Sequence, residues 1–72
     1  MHDIIKNKIL EKLDDSEIKI EGSDSKYTVY VNSQEFEGKS IIDQHKIIYA
    51  ILDEYIQSGE IHALTLKTAP KK

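Results

Sequence analysis

From Ile41 to Gln57 apolar residues recur at helical spacing: Ile41, Ile48, Tyr49, Leu52, Tyr55 and Ile56. Seventeen residues is long for one helix in a chain of 72, so the remaining elements must supply the surface against which it is buried. Ser40 followed by Asp43 has the spacing of a capping box, with Asp in place of the preferred Glu. Gly59 suits the left-handed position that ends a helix. Tyr49 and Leu52 are expected to be buried where this helix meets a sheet, against Val29, Val31 and Leu64.

The sheet is written in a different period. Glu17 to Glu21 alternates, with Ile18 and Ile20 on one face. Lys26 to Val31 alternates again, with Tyr27, Val29 and Val31 on one face and Thr28 and Tyr30 on the other. Between them Gly22-Ser23-Asp24-Ser25 is a turn cluster, which predicts an antiparallel hairpin. A third strand is expected over His62 to Thr68, with Leu64 and Leu66 on one face, and Pro70 ends it. Ahead of the hairpin, Ile5, Ile9 and Leu13 at i, i+4, i+8 predict an amphipathic helix over residues 3–13. The elements make a two-layer α+β sandwich with a three-stranded sheet packed on helices. One domain over residues 1–70 is expected, with Lys71-Lys72 as a solvated tail.

Composition narrows the function. No apolar run approaches the roughly 18 residues of a membrane helix. The first residues lack the basic start and apolar stretch of a signal peptide, and there is no cysteine, so a cytoplasmic location is expected. Absence of cysteine also excludes disulfides, thiolate nucleophiles and cysteine-based zinc sites within this sequence. Ten lysines against thirteen acids give a net charge of −3, without a single arginine, which argues against strong nucleic-acid binding. So small a domain has little room for a large catalytic cleft, and an enzyme is not expected.

Three histidines carry the remaining chemistry. His2 reads as mobile at the chain terminus. His45 lies in the long helix between Gln44 and Lys46. His62 opens the last strand and shares the face of Leu64 and Leu66 at the rim of the sheet. No histidine spacing makes a self-contained metal site. Gly38-Lys39-Ser40 ends like a phosphate-binding P-loop, but Ser33 stands where that loop needs its first glycine.

Taken together, Phe36-Glu37-Gly38-Lys39-Ser40, then Gln44-His45-Lys46-Ile47-Ile48-Tyr49, then Ile61-His62-Ala63-Leu64 with Leu66 and Thr68, resemble the BolA family. That family shows F-x-G-K-S, then R-H-R-x-V-Y, then a histidine followed by Ala-Leu. Here Gln44 and Lys46 replace both arginines. The segment Gly22 to Val29 resembles the family's turn followed by S-H-F-x-V, with Lys26 at the histidine position.

The resemblance implies an αββααβ order related to the class II KH topology. It implies partnership with a monothiol glutaredoxin and a shared [2Fe-2S] cluster, in iron-sulfur trafficking or iron sensing. His62 matches the family's near-terminal histidine ligand. The second ligand, which the family draws from the hairpin, is missing at Lys26; Asp24, Ser25 and Tyr27 are the oxygen-bearing neighbours there. A chain without cysteine can add only nitrogen to a cluster whose sulfurs come from elsewhere, and only neutral imidazole binds metal. The alternative reading is a nucleic-acid-binding transcriptional regulator using the turn-helix segment 36–49, with Lys39, His45 and Lys46 as contacts. A third is a protein-interaction module without a cluster.

Overall fold

A computed structural model describes residues 1–71. The order is α1 (His2–Lys12), β1 (Glu17–Ser23), β2 (Lys26–Asn32), a short 3-10 turn (Gln34–Phe36), α2 (Ile41–Gln57) and β3 (Ala63–Ala69). The sheet order is β1-β2-β3. β1 and β2 pair antiparallel, with Ile20 opposite Val29, whereas β2 and β3 pair parallel, with Val29 opposite Leu66. The fold is α+β, with two helices and a mixed sheet. Of the two helical elements between β2 and β3, the first is only the 3-10 turn.

One face of the sheet is apolar because β2 alternates without interruption: Tyr27, Val29 and Val31 are buried, while Lys26 and Asn32 are exposed. Ile5 and Ile9 of α1, and Ile48 and Leu52 of α2, reach 0 % exposure against this face. Phe36 is also at 0 %, which explains why a three-residue turn with no strength of its own is fixed in place. Ser40 caps α2 by accepting the Asp43 N–H at 3.1 Å. Gly59 follows α2 at φ +85°, in the left-handed region expected of it.

One expectation about α2 is corrected. Tyr49 is 43 % exposed rather than buried. The buried stripe runs Gln44, Ile48, Leu52, and Tyr49 lies about 100° round the helix from Ile48. Ile41, although in line with that stripe, is 56 % exposed. It opens the helix over a groove of about 410 Å³ instead of over packed core. Lys71 also differs from a solvated residue. It is half-buried, its N–H donates to the Ser33 carbonyl at 3.2 Å, and its Nζ donates to the Asp15 carbonyl at 2.7 Å. Lys72 lies outside the described residues.

Candidate functional site

The hairpin turn is two residues long, closed by the Ser23–Lys26 pair. Asp24 and Ser25 both have positive φ, 54° and 69°. Such a turn matches the twist of the strands it joins, and short polar residues tolerate it best. Gly22 is required beside it, because a Cβ there would run into the Lys26 carbonyl. The turn aims the Ser25 carbonyl at the last strand, where it accepts the His62 N–H at 2.7 Å and the Ala63 N–H at 3.0 Å.

His62 is therefore held by its backbone while its side chain is exposed. The residue before it, Ile61, is 2 % exposed and donates its N–H to the Tyr55 carbonyl at 3.0 Å. β3 begins at Ala63, one residue later than expected. A fixed backbone carrying an exposed imidazole suits a nitrogen ligand offered outward. Among the described residues no group of three or more His, Asp or Glu side chains is placed to hold a metal ion. The donor set thus fits a terminal ligand to a metal whose other ligands come from a partner, and does not fit a site complete within this chain.

His2 belongs to the same end of the molecule. Instead of being loose it opens α1, its Nε2 lies 2.7 Å from the Gly22 carbonyl, and its ring meets that of Tyr27 edge-on at 5.6 Å. The periodicity of α1 gave no sign of this, because the contact is made to a residue 20 positions away.

Lys39, His45 and Lys46 lie at the other end of α2. Lys39 and Lys46 are exposed, and His45 is half-buried along the groove with Tyr30, Ile41, Leu66 and Thr68. Seventeen helical residues span about 25 Å, so this set does not meet His62, which follows the helix. Glu37 and Asp43, both exposed, alternate with these lysines.

Sequence reasoning passed over the polar residues that build this region. Gln44 is 3 % exposed; its Nε2 donates to the Lys39 carbonyl at 2.9 Å and the Phe36 carbonyl at 3.4 Å, and its Oε1 accepts the Thr68 hydroxyl at 2.7 Å. It ties the F-x-G-K-S loop to β3. The signal was available, since Gln44 stands four and eight residues before Ile48 and Leu52. Asp15 does the same work at the end of the sheet where β1 begins, accepting the Ser33 hydroxyl at 2.8 Å and the Gln34 N–H at 2.7 Å. The Gln34 N–H and then the Ser33 hydroxyl hold its carboxyl below the usual range. On the outer face of the sheet the Tyr30 hydroxyl donates to Glu21 at 3.0 Å, with Lys19 alongside at 3.4 Å. That hydrogen bond, helped by the Lys19 charge, lowers the Glu21 pKa, and the same bond raises that of Tyr30 against the opposing Lys19 charge.

A mixed three-stranded sheet with a histidine presented beside its hairpin defines a small α+β domain of the kind already suggested by the motifs. A family model described as BolA-like protein matches residues 3–72. The chain belongs to the BolA-like family. A protein from Acinetobacter guillouiae, named only by its place in an rpoN-murA intergenic region, is 34 % identical over 58 residues, covering 81 % of this chain and 70 % of the relative. Protein BOLA2 of Arabidopsis thaliana is 42 % identical over 48 residues, covering 67 % of this chain and half (50 %) of that protein. Among solved structures, a BolA homologue from Coxiella burnetii has a TM-score of 0.80 at 33 % identity, over 94 % of this chain and 87 % of that one. BolA1 of Arabidopsis thaliana has a TM-score of 0.84 at 24 % identity, over 94 % of this chain and 88 % of the other, and supports the fold alone.

Proposed function

We propose that this chain is a non-catalytic partner of a monothiol glutaredoxin and adds the His62 imidazole to a [2Fe-2S] cluster shared between them. The observation that carries the reading is the exposed imidazole whose backbone is clamped to the hairpin turn by the Ser25 carbonyl. When bound, such a cluster supplies electron-transfer chemistry, with a reduction potential raised where imidazole replaces thiolate. The role of this chain is to present one neutral nitrogen in a fixed place. The glutaredoxin and glutathione supply the sulfurs that a cysteine-free chain lacks.

The test is to mix the apo protein anaerobically with a cluster-loaded monothiol glutaredoxin. The expected result is a heterodimer with visible absorption and circular dichroism distinct from those of the glutaredoxin alone. His62→Ala removes the change and His45→Ala keeps it. A His62→Ala protein that forms the same spectroscopic complex as the parent refutes the reading and leaves an interaction module without a cluster.

A further inference from the structure

β3 is an edge of the sheet, and only alternate residues of its backbone are bonded. In a parallel ladder every second residue of a strand turns both its N–H and its C=O to one neighbour. The Ala63 N–H donates to the Ser25 carbonyl, the Ala69 carbonyl accepts the Ser33 N–H and the Lys71 N–H donates to the Ser33 carbonyl, so the odd-numbered residues of β3 face β2. The N–H and C=O groups of Leu64, Leu66 and Thr68 point the other way and have no partner among the described residues. The opposite edge is guarded. β1 carries exposed Glu17, Lys19 and Glu21, and the His2 ring covers its Gly22 carbonyl. Charge of that density on an edge strand opposes pairing, whereas β3 carries a single charge, Lys67.

α2 lies over β3, tied to it by the Thr68–Gln44 hydrogen bond at 2.7 Å. Ile41 and His45 line the groove beside Leu66 at the free edge. At about 100° per residue Ile42 and Tyr49 continue that flank of the helix, away from Glu54, which meets Lys8 of α1 on the other side. Ile41, Ile42 and Tyr49 are exposed, so the overhang above the free edge is apolar.

The outward groups fit a second copy of the chain. With two β3 strands antiparallel about a two-fold axis at Leu66, Leu66 exchanges both its backbone bonds with Leu66 of the second copy, and Leu64 does so with Thr68. The next pair sets His62 against Pro70, where no donor is left: the His62 N–H is bound to Ser25 and Pro70 has none. The ladder ends where the free donors end. On the outer face Lys67 stands opposite Thr65 rather than another lysine, and on the inner face the two apolar flanks of α2 come together.

We propose that this chain pairs with a second copy of itself along β3, joining two sheets into one. The inference is independent of the glutaredoxin reading and is tested on the apo protein. Sedimentation equilibrium from micromolar to millimolar chain should show a monomer–dimer equilibrium. Position 65 is exposed, so charge can be placed there with the fold checked by far-ultraviolet circular dichroism. Thr65→Lys sets like charges across the ladder and should raise the dissociation constant roughly threefold or more, and Thr65→Glu, facing Lys67, should lower it. General self-repulsion predicts the reverse order, because Thr65→Lys reduces the net charge of −3. Amide exchange at Leu64, Leu66 and Thr68 should slow as concentration rises, while Thr65 and Lys67, bonded to β2, stay protected throughout. A chain that remains monomeric overturns the proposal. So does a dimer that ignores the charge at position 65 and leaves those three amides unchanged.

Discussion

The two ends of the sheet handle their polar groups in opposite ways. At the end where β1 begins and β2 and β3 finish, the side chains of Asp15, Ser33 and Lys71 are all turned inward to partners. Asp15 takes up the Ser33 hydroxyl and the Gln34 N–H, Lys71 closes over the Asp15 carbonyl, and Ser33 accepts the Glu35 N–H at 3.2 Å while reaching 0 % exposure. At the hairpin end the ties run to backbone carbonyls, Ser25 taking the His62 and Ala63 N–H groups and Gly22 the His2 ring, while His62, Lys26 and Asp24 remain exposed. A network centred on buried Ser33, whose half-buried neighbours Asp15 and Lys71 spend their polar groups on one another, holds the chain together and has little left to offer a partner. A fixed backbone with exposed donors is the converse, and binding residues are commonly set on loops braced by a rigid scaffold in this way.

Substitutions can set the ends against each other. The largest effect should come from neither end but from the core they share. Leu52→Ala removes a side chain at 0 % exposure and should cost about 2–5 kcal/mol. For a domain of this size that lowers the Tm by roughly 10 °C or more, readable by thermal melting. A variant melting within a degree or two of the parent would mean that α2 buries a different face. Gln44→Ala comes next. It strips a partner from the Thr68 hydroxyl and from the carbonyls of Phe36 and Lys39, and should cost about 1–3 kcal/mol in urea unfolding.

These two positions also mark what the sequence could and could not disclose. Periodicity located α2 to the residue, Ile41–Gln57, because a long apolar stripe with a cap at Ser40 leaves little freedom. Alternation located the hairpin, because Tyr27, Val29 and Val31 repeat every second residue. It could not separate Tyr49 from Ile48, since both are apolar and only the packing direction of the helix decides between them. Nor could it reveal Asp15 or the contact of His2, because a polar side chain is assigned to solvent until its long-range partner is known, whereas Gln44 falls on the buried stripe of α2 and was open to periodicity. His62 was singled out by its motif, and the clamp from Ser25 that fixes it belongs to tertiary structure.

A smaller effect at the sealed end should appear only against pH. The folded-state pKa of Asp15 is lowered by the Gln34 N–H and the Ser33 hydroxyl. Its stabilisation is therefore full above the unfolded value, near pH 4, and is lost as pH falls through the lower folded value. Asp15→Asn should melt at a lower temperature than the parent at neutral pH and show a shallower loss of stability below about pH 4. Equal acid slopes for the two proteins would show that other carboxylates carry the acid sensitivity and that the seal contributes nothing to it.

The smallest effect on stability should be the most informative about function. His62→Ala shortens an exposed side chain and leaves in place both backbone hydrogen bonds to the Ser25 carbonyl, since they belong to the N–H groups of His62 and Ala63. Its stability should stay within about 0.5 kcal/mol of the parent, as for surface changes that break no buried contact. Its visible circular dichroism with a cluster-loaded monothiol glutaredoxin should nevertheless collapse to that of the glutaredoxin alone. The pairing of the two readouts is what tests the contrast between the ends. If His62→Ala instead melts several degrees lower, the imidazole is structural and the hairpin end is sealed like the other. If stability is unchanged and the heterodimer signal persists, the end is open but the nitrogen offered there is not the one the cluster takes.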